Sequence, residues 1–109
     1  MPHIRIRALQ PDQVASLSKT LVKDLATTIK TDEDNFTFEL VTTQFFQQGQ
    51  TVKGTPFVEV FWFPRTSEVQ QQAAELITTA IKKLVNEEYI TVVFLSLLPE
   101  NYYENGQHF

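Results

Sequence analysis

Two stretches that lie 54 residues apart in the chain place an apolar residue at every second position, with polar residues between them in the first and two Phe and a Glu between them in the second. Ile4, Ile6 and Ala8 alternate with His3, Arg5 and Arg7, and Val58, Val60 and Trp62 alternate with Phe57, Glu59 and Phe61. An apolar residue at every second position predicts a strand with one buried face. Each stretch leads into a helical stripe. Val14, Leu17, Leu21, Leu25 and Ile29 recur at spacings of three and four, the period of a helix that buries one side. Gln10-Pro11-Asp12 marks its start, since Pro suits the first turn and Asp complements the helix dipole. Thr31 to Asn35 ends it, and Phe36 to Leu40 alternates again as a strand. In the second half Thr66-Ser67-Glu68 opens a helix with Val69, Ala73, Leu76, Ala80 and Leu84 facing inward. Ile90 to Leu98 is nearly all apolar, which predicts a well-buried strand.

The chain thus repeats itself. Met1 to Leu9 lies over Thr55 to Phe63, Phe36-Thr37-Phe38 over Ile90-Thr91-Val92, and Phe45-Phe46-Gln47-Gln48-Gly49-Gln50 resembles Tyr102-Tyr103-Glu104-Asn105-Gly106-Gln107. Self-similarity of this kind sets the architecture. The expected fold is α+β: a tandem βαβ repeat (βαββαβ) forming a four-stranded mixed sheet with two helices on one face. One domain of 109 residues follows, with halves 1–54 and 55–109.

Right-handed crossovers put both helices on the same side of such a sheet. Ile4, Ile6, Phe36, Phe38, Leu40, Val58, Val60, Trp62, Val92 and Phe94 then pack beneath them. The other face carries Arg5, Arg7, Thr37, Glu39, Phe57, Glu59, Phe61, Phe63, Val93 and Leu95. It is too apolar for water and too charged for a dry core. That mixture predicts sheet-to-sheet assembly of several subunits around a partly wet centre. A monomer with a solvated sheet face is the alternative.

Composition narrows the chemistry. The absence of cysteine excludes disulfides, thiolate metal sites and thiol nucleophiles. Two His, at opposite ends of the chain, make no metal site, and no cofactor is implied. A net charge of −4 without a Lys/Arg cluster gives no footprint for nucleic acid. No apolar run approaches the ~20 residues of a membrane span and no signal-peptide pattern opens the chain, so the expected compartment is the cytoplasm.

Pro2 is the candidate for chemistry. Removal of Met1 before a small residue would leave a secondary amine at the terminus. Apolar surroundings and a nearby cation lower the basicity of such an amine toward working pH, as proton abstraction beside a carbonyl requires. Pro56 shows that the same position can also be purely structural.

Taken with the two βαβ halves, Met1-Pro2-His3-Ile4-Arg5-Ile6 resembles the tautomerase superfamily, which includes macrophage migration inhibitory factor and the 4-oxalocrotonate tautomerases. The resemblance spans the chain and is one of pattern; its sharp motif is the N-terminal proline. It implies an isomerase that interconverts keto and enol forms of a small-molecule α-keto carboxylate. It also implies a homotrimer with sites at subunit interfaces. Pro2 stands in the position of the catalytic proline. Arg65, in Pro64-Arg65-Thr66-Ser67-Glu68, resembles the arginine that binds the substrate carboxylate; its other reading is a solvated cation at a helix start. Lys30 is close to a pocket lysine of the migration-inhibitory-factor branch, or else complements the C-terminus of its helix. Tyr102, Tyr103, His108 and Phe109 either close a neighbour's pocket or serve as packing groups. His3 turns to the opposite face from Pro2.

The sequence also departs from that branch. Thr91 and Val93 stand where it carries Tyr and Asn, which puts the substrate in doubt. Two further readings accompany the enzyme. One is a non-catalytic tautomerase-fold trimer with a binding or structural role. The other is a ferredoxin-like small-molecule-binding module, against which Thr42 to Thr55 is long for a hairpin.

Overall fold

The computed structural model describes residues 2–108. Strand β1 (His3–Arg7) runs into helix α1 (Pro11–Ile29), and strand β2 (Thr37–Val41) follows. A short hairpin, β3 (Phe45–Gln47) and β4 (Gln50–Val52), precedes β5 (Phe57–Trp62), α2 (Ser67–Lys82) and β6 (Thr91–Ser96). A second hairpin, β7 (Tyr103–Glu104) and β8 (Gln107–His108), closes the chain. The main sheet has the order β2-β1-β5-β6. β1 pairs parallel with β2 and β5 parallel with β6, while β1 and β5 meet antiparallel at the centre. This is the expected tandem βαβ repeat. In each unit the two strands joined by the helix are adjacent, whereas a ferredoxin-like sheet splits them with an intervening strand. The ferredoxin-like alternative is therefore corrected.

Alternation is realised residue by residue. Ile4, Ile6, Val58, Val60 and Trp62 are buried beneath the helices, and Phe38, Leu40, Val92 and Phe94 pack against them. From α1 come all five residues of the sequence stripe, joined by Val22. In α2 the buried line is Ala73, Ile77 and Ile81. Val69, Leu76, Ala80 and Leu84, expected to face inward, flank that line and are only partly buried. The helix is turned so that Ala73, Ile77 and Ile81 form its innermost line. A second difference concerns β6, which is an edge strand with Val93 and Leu95 38% and 37% exposed. An apolar run signals burial on both faces only where helices cover both, and here one face has no helix.

That bare face is ordered in three rows across the sheet. Thr37, His3, Phe61 and Leu95 form the first; Glu39, Arg5, Glu59 and Val93 the second; Val41, Arg7, Phe57 and Thr91 the third. The charges gather on β1, β2 and the middle of β5, and β6 carries none. Arg7 Nη1 lies 2.7 Å from Glu59 Oε1, and Arg5 Nε lies 3.0 Å from Glu39 Oε1.

Both hairpins turn on consecutive residues at positive φ, Gln48-Gly49 and Asn105-Gly106, the combination of a type I′ turn. Their strands form separate two-stranded sheets. The radius of gyration is 14.8 Å, with extents of 44 × 28 × 26 Å, against about 13 Å for a compact chain of this length. The mostly exposed hairpins account for the excess.

Candidate functional site

Pro2 sits at the entrance to β1 and is fully buried. Its carbonyl accepts the Thr37 N–H at 3.1 Å, and Pro56 accepts the Thr91 N–H at the same distance. Each proline thus extends a parallel strand pair by one bond. Because His3 is paired with Phe61, Pro2 comes level with Trp62, at the C-terminal end of β5.

Two cations reach this end of the sheet. α1 stops at Lys30, whose left-handed backbone (φ 64°) directs its N–H to the Ala26 carbonyl at 2.9 Å. Glycine is the usual residue for such a cap, and a longer side chain there is strained. Arg65 follows β5 by three residues. Its Nε donates to the Ile29 carbonyl at 3.3 Å and its Nη1 to the Phe63 carbonyl. The guanidinium carbon lies 5.9 Å from the centre of the Trp62 ring, within cation–π range. Lys30 and Arg65 line one open cleft with Thr28, Pro64, Thr66 and Val69. No carboxylate lines that cleft, and neither cation has an ion-pair partner among the described residues. Arg65 is thus no free helix-start cation. Main-chain carbonyls hold its Nε and Nη1, while Nη2 has no protein acceptor among the described residues.

The C-terminal residues divide. Tyr102 packs edge-on against Phe63 of its own chain, ring centroids 5.3 Å apart, and its hydroxyl donates to Glu104 Oε1 at 2.9 Å. Burial, and secondarily the Glu104 carboxylate, push its phenol above the ordinary value. Tyr103 is mostly exposed and stacks edge-on with His108 within the hairpin, away from the cleft lining. Met1 and Phe109 lie outside the described residues. Among the described residues no group of three His, Asp or Glu side chains is placed to hold a metal ion, and no helix is long and apolar enough to cross a membrane.

The sequence reading missed Trp62 as part of this region. It is the only tryptophan of the chain. Its ring lies beside Phe94 at 4.7 Å between centroids, and its buried indole N–H has no acceptor among the described residues. A lone tryptophan three residues before an arginine is the only signal that pointed here.

The sequence profile of the family described as "Domain of unknown function (DUF1904)" matches residues 1–108. The chain belongs to the DUF1904 family. A DUF1904 protein of known structure from Sebaldella termitidis is 39% identical, each chain covering 100% of the other, with a TM-score of 0.94. The fold extends further. The macrophage migration inhibitory factor-like protein of Entamoeba histolytica superposes at a TM-score of 0.77 and 16% identity, over 99% of this chain and 98% of that one. A structure described as a fused 4-OT wild type asymmetric trimer matches at 0.83 and 12% identity, over 97% and 94%. No curated protein matches the chain in sequence. The DUF1904 chain therefore shares the fold of the migration-inhibitory-factor-like and 4-OT structures, and the resemblance in fold stated from its sequence holds.

Proposed function

We propose that this DUF1904 protein is a tautomerase that moves a proton between the enol and keto forms of a small α-keto carboxylate. One observation carries the reading. Lys30 and Arg65, two cations with no ion-pair partner among the described residues, share a cleft at the end of the sheet where Pro2 enters β1, and Pro2 itself is buried outside the cleft lining. In the proposed reaction, Arg65 Nη2 and the Lys30 ammonium hold the substrate carboxylate by charge-assisted hydrogen bonds. The secondary amine of Pro2, in a chain freed of Met1, accepts the enol hydroxyl proton and returns a proton to the neighbouring carbon. Both cations lower the amine's basicity by charge. In this reading Tyr102, held against Phe63, and Tyr103 close the pocket of a neighbouring subunit.

The protein works as a homotrimer in this reading. The fused 4-OT neighbour is described as a trimer. The bare face combines Phe57, Phe61, Val93 and Leu95 with paired charges, a surface suited to a partly wet interface. The burial of Pro2 supports a second reading, a non-catalytic trimer that binds carboxylates in the same cleft.

Ketonisation of phenylenolpyruvate and 2-hydroxymuconate by the Met1-free chain, alongside Pro2→Gly, separates the two. The catalytic reading expects a loss of about 10²–10⁴-fold in the variant, the usual worth of a positioned base. Binding of the carboxylates without turnover in either protein overturns it in favour of the second reading.

A further inference from the structure

The bare sheet face carries five ionisable side chains that the proposed reaction does not use: His3, Arg5, Arg7, Glu39 and Glu59. On β1, His3 bridges to β2 through both ring nitrogens, with Nδ1 2.5 Å from Thr37 Oγ1 and Nε2 2.9 Å from Glu39 Oε1. Its ring lies 6.1 Å from that of Phe61 on β5. A neutral imidazole satisfies both contacts by donating from Nε2 and accepting the Thr37 hydroxyl proton at Nδ1. A protonated one satisfies them too, with the threonine hydroxyl rotated to accept. The contacts are thus available to both forms, and what differs between them is charge.

The remaining groups on this face leave that charge unbalanced. On β1, Arg5 and Arg7 are matched by Glu39 of β2 and Glu59 of β5, two cations against two carboxylates. Arg7 engages Glu59, and Glu39 is already shared between Arg5 and His3. From β6 the rows receive Thr91, Val93 and Leu95, which supply no counter-ion. With His3 neutral the face is electrically balanced; with His3 protonated each copy presents one surplus positive charge.

We infer that His3 makes self-association through the bare sheet face pH-dependent, the assembled form being favoured when its imidazole is neutral. This rests on the assembly reading given above. When copies cover this face, each surplus charge is drawn out of water and brought toward its counterparts, and both changes oppose protonation. Imidazole is the side chain whose charge changes between about pH 5 and 8. Association therefore weakens as the pH falls through that interval, and salt relieves the repulsion by screening it.

Sedimentation of the intact chain at about pH 8 and about pH 5.5 tests this, with His3→Gln and His3→Arg alongside. The expected result is an association constant at least ~10-fold lower at the acidic pH, partly restored by added salt. His3→Gln should show little pH response, and His3→Arg should behave at the higher pH as the wild type does at the lower. An assembly indifferent to pH, or a His3→Gln response equal to that of the wild type, overturns the role of His3 and leaves the assembly reading standing. A wild type that remains a single subunit at about pH 8 overturns the assembly reading, and this inference with it.

Discussion

Arg65 donates its Nε–H to the main-chain carbonyl of Ile29 at 3.3 Å and so ties the segment after β5 to the last turn of α1. The α1 end has no basic residue in its last turn, and Arg65 supplies that charge from a distant part of the chain. The same guanidinium also accounts for the Phe63 carbonyl. Lys30, the next residue after Ile29, is thereby held on the rim of the cleft.

Arg65→Lys keeps the charge and loses the planar fork that spans the two carbonyls. Thermal or urea unfolding should show a loss of about 1–2 kcal/mol, the worth of hydrogen bonds from a charged donor. Carboxylate binding should weaken at the same time. An unchanged stability would mean that the two carbonyl contacts contribute nothing to holding α1.

Lys30 occupies a left-handed position that glycine tolerates without strain. Lys30→Gly should therefore raise stability by up to about 1 kcal/mol while raising KM for an α-keto carboxylate. The opposed directions separate a binding lysine from a capping one. A variant that is more stable and binds as before removes Lys30 from the site.

Glu39 is held below the ordinary carboxylate range, chiefly by its hydrogen bond from His3, with burial opposing and Arg5 assisting. A carboxyl group whose folded value is depressed adds stability above its unfolded value of about 4.3, and that stability is lost as the pH falls through the folded value. Urea midpoints measured from about pH 6 to about pH 3 should fall less steeply in Glu39→Gln than in the wild type. Equal slopes would show that the His3 contact does not persist in solution.

Gly54 is packed under the ring of Phe45, where a Cβ would lie 2.2 Å from Cδ1. Gly54→Ala must displace the ring and with it the start of β3. Faster proteolysis confined to residues 42–55, with little change in the far-ultraviolet spectrum of the whole, is the expected result. A variant as resistant as the wild type would mean that the hairpin is not anchored through this contact.

The layout of the fold was legible because it rests on local periodicity. Ile4 and Ile6, Val58 and Val60, and the α1 stripe each announce a buried face by spacing alone. Legibility failed where two arrangements were equally apolar. In α2 the line through Leu76, Ala80 and Leu84 reads as well as the line through Ala73, Ile77 and Ile81, and only packing against the sheet chooses between them. The apolar run of β6 hid an edge strand because nothing in it records that one face lacks a helix. At the candidate site, Pro2, Lys30 and Arg65 were visible as residue types. The partners of Arg65 are main-chain carbonyls, which leave no mark on residue identity. Trp62, reading as one more core residue, concealed its contact with Arg65 and an indole N–H that has no acceptor among the described residues.

In the proposed reaction a free amine at Pro2 performs the chemistry, and comparing the chain with and without Met1 separates this from binding alone. Both forms keep every residue of the cleft, and they differ in whether the Pro2 nitrogen can take a proton. For ketonisation of an enol α-keto carboxylate, kcat/KM should be about 10²–10⁴-fold higher in the form that begins at Pro2. Equal rates in the two forms, with both folded alike, would contradict the assignment of Pro2 as the base.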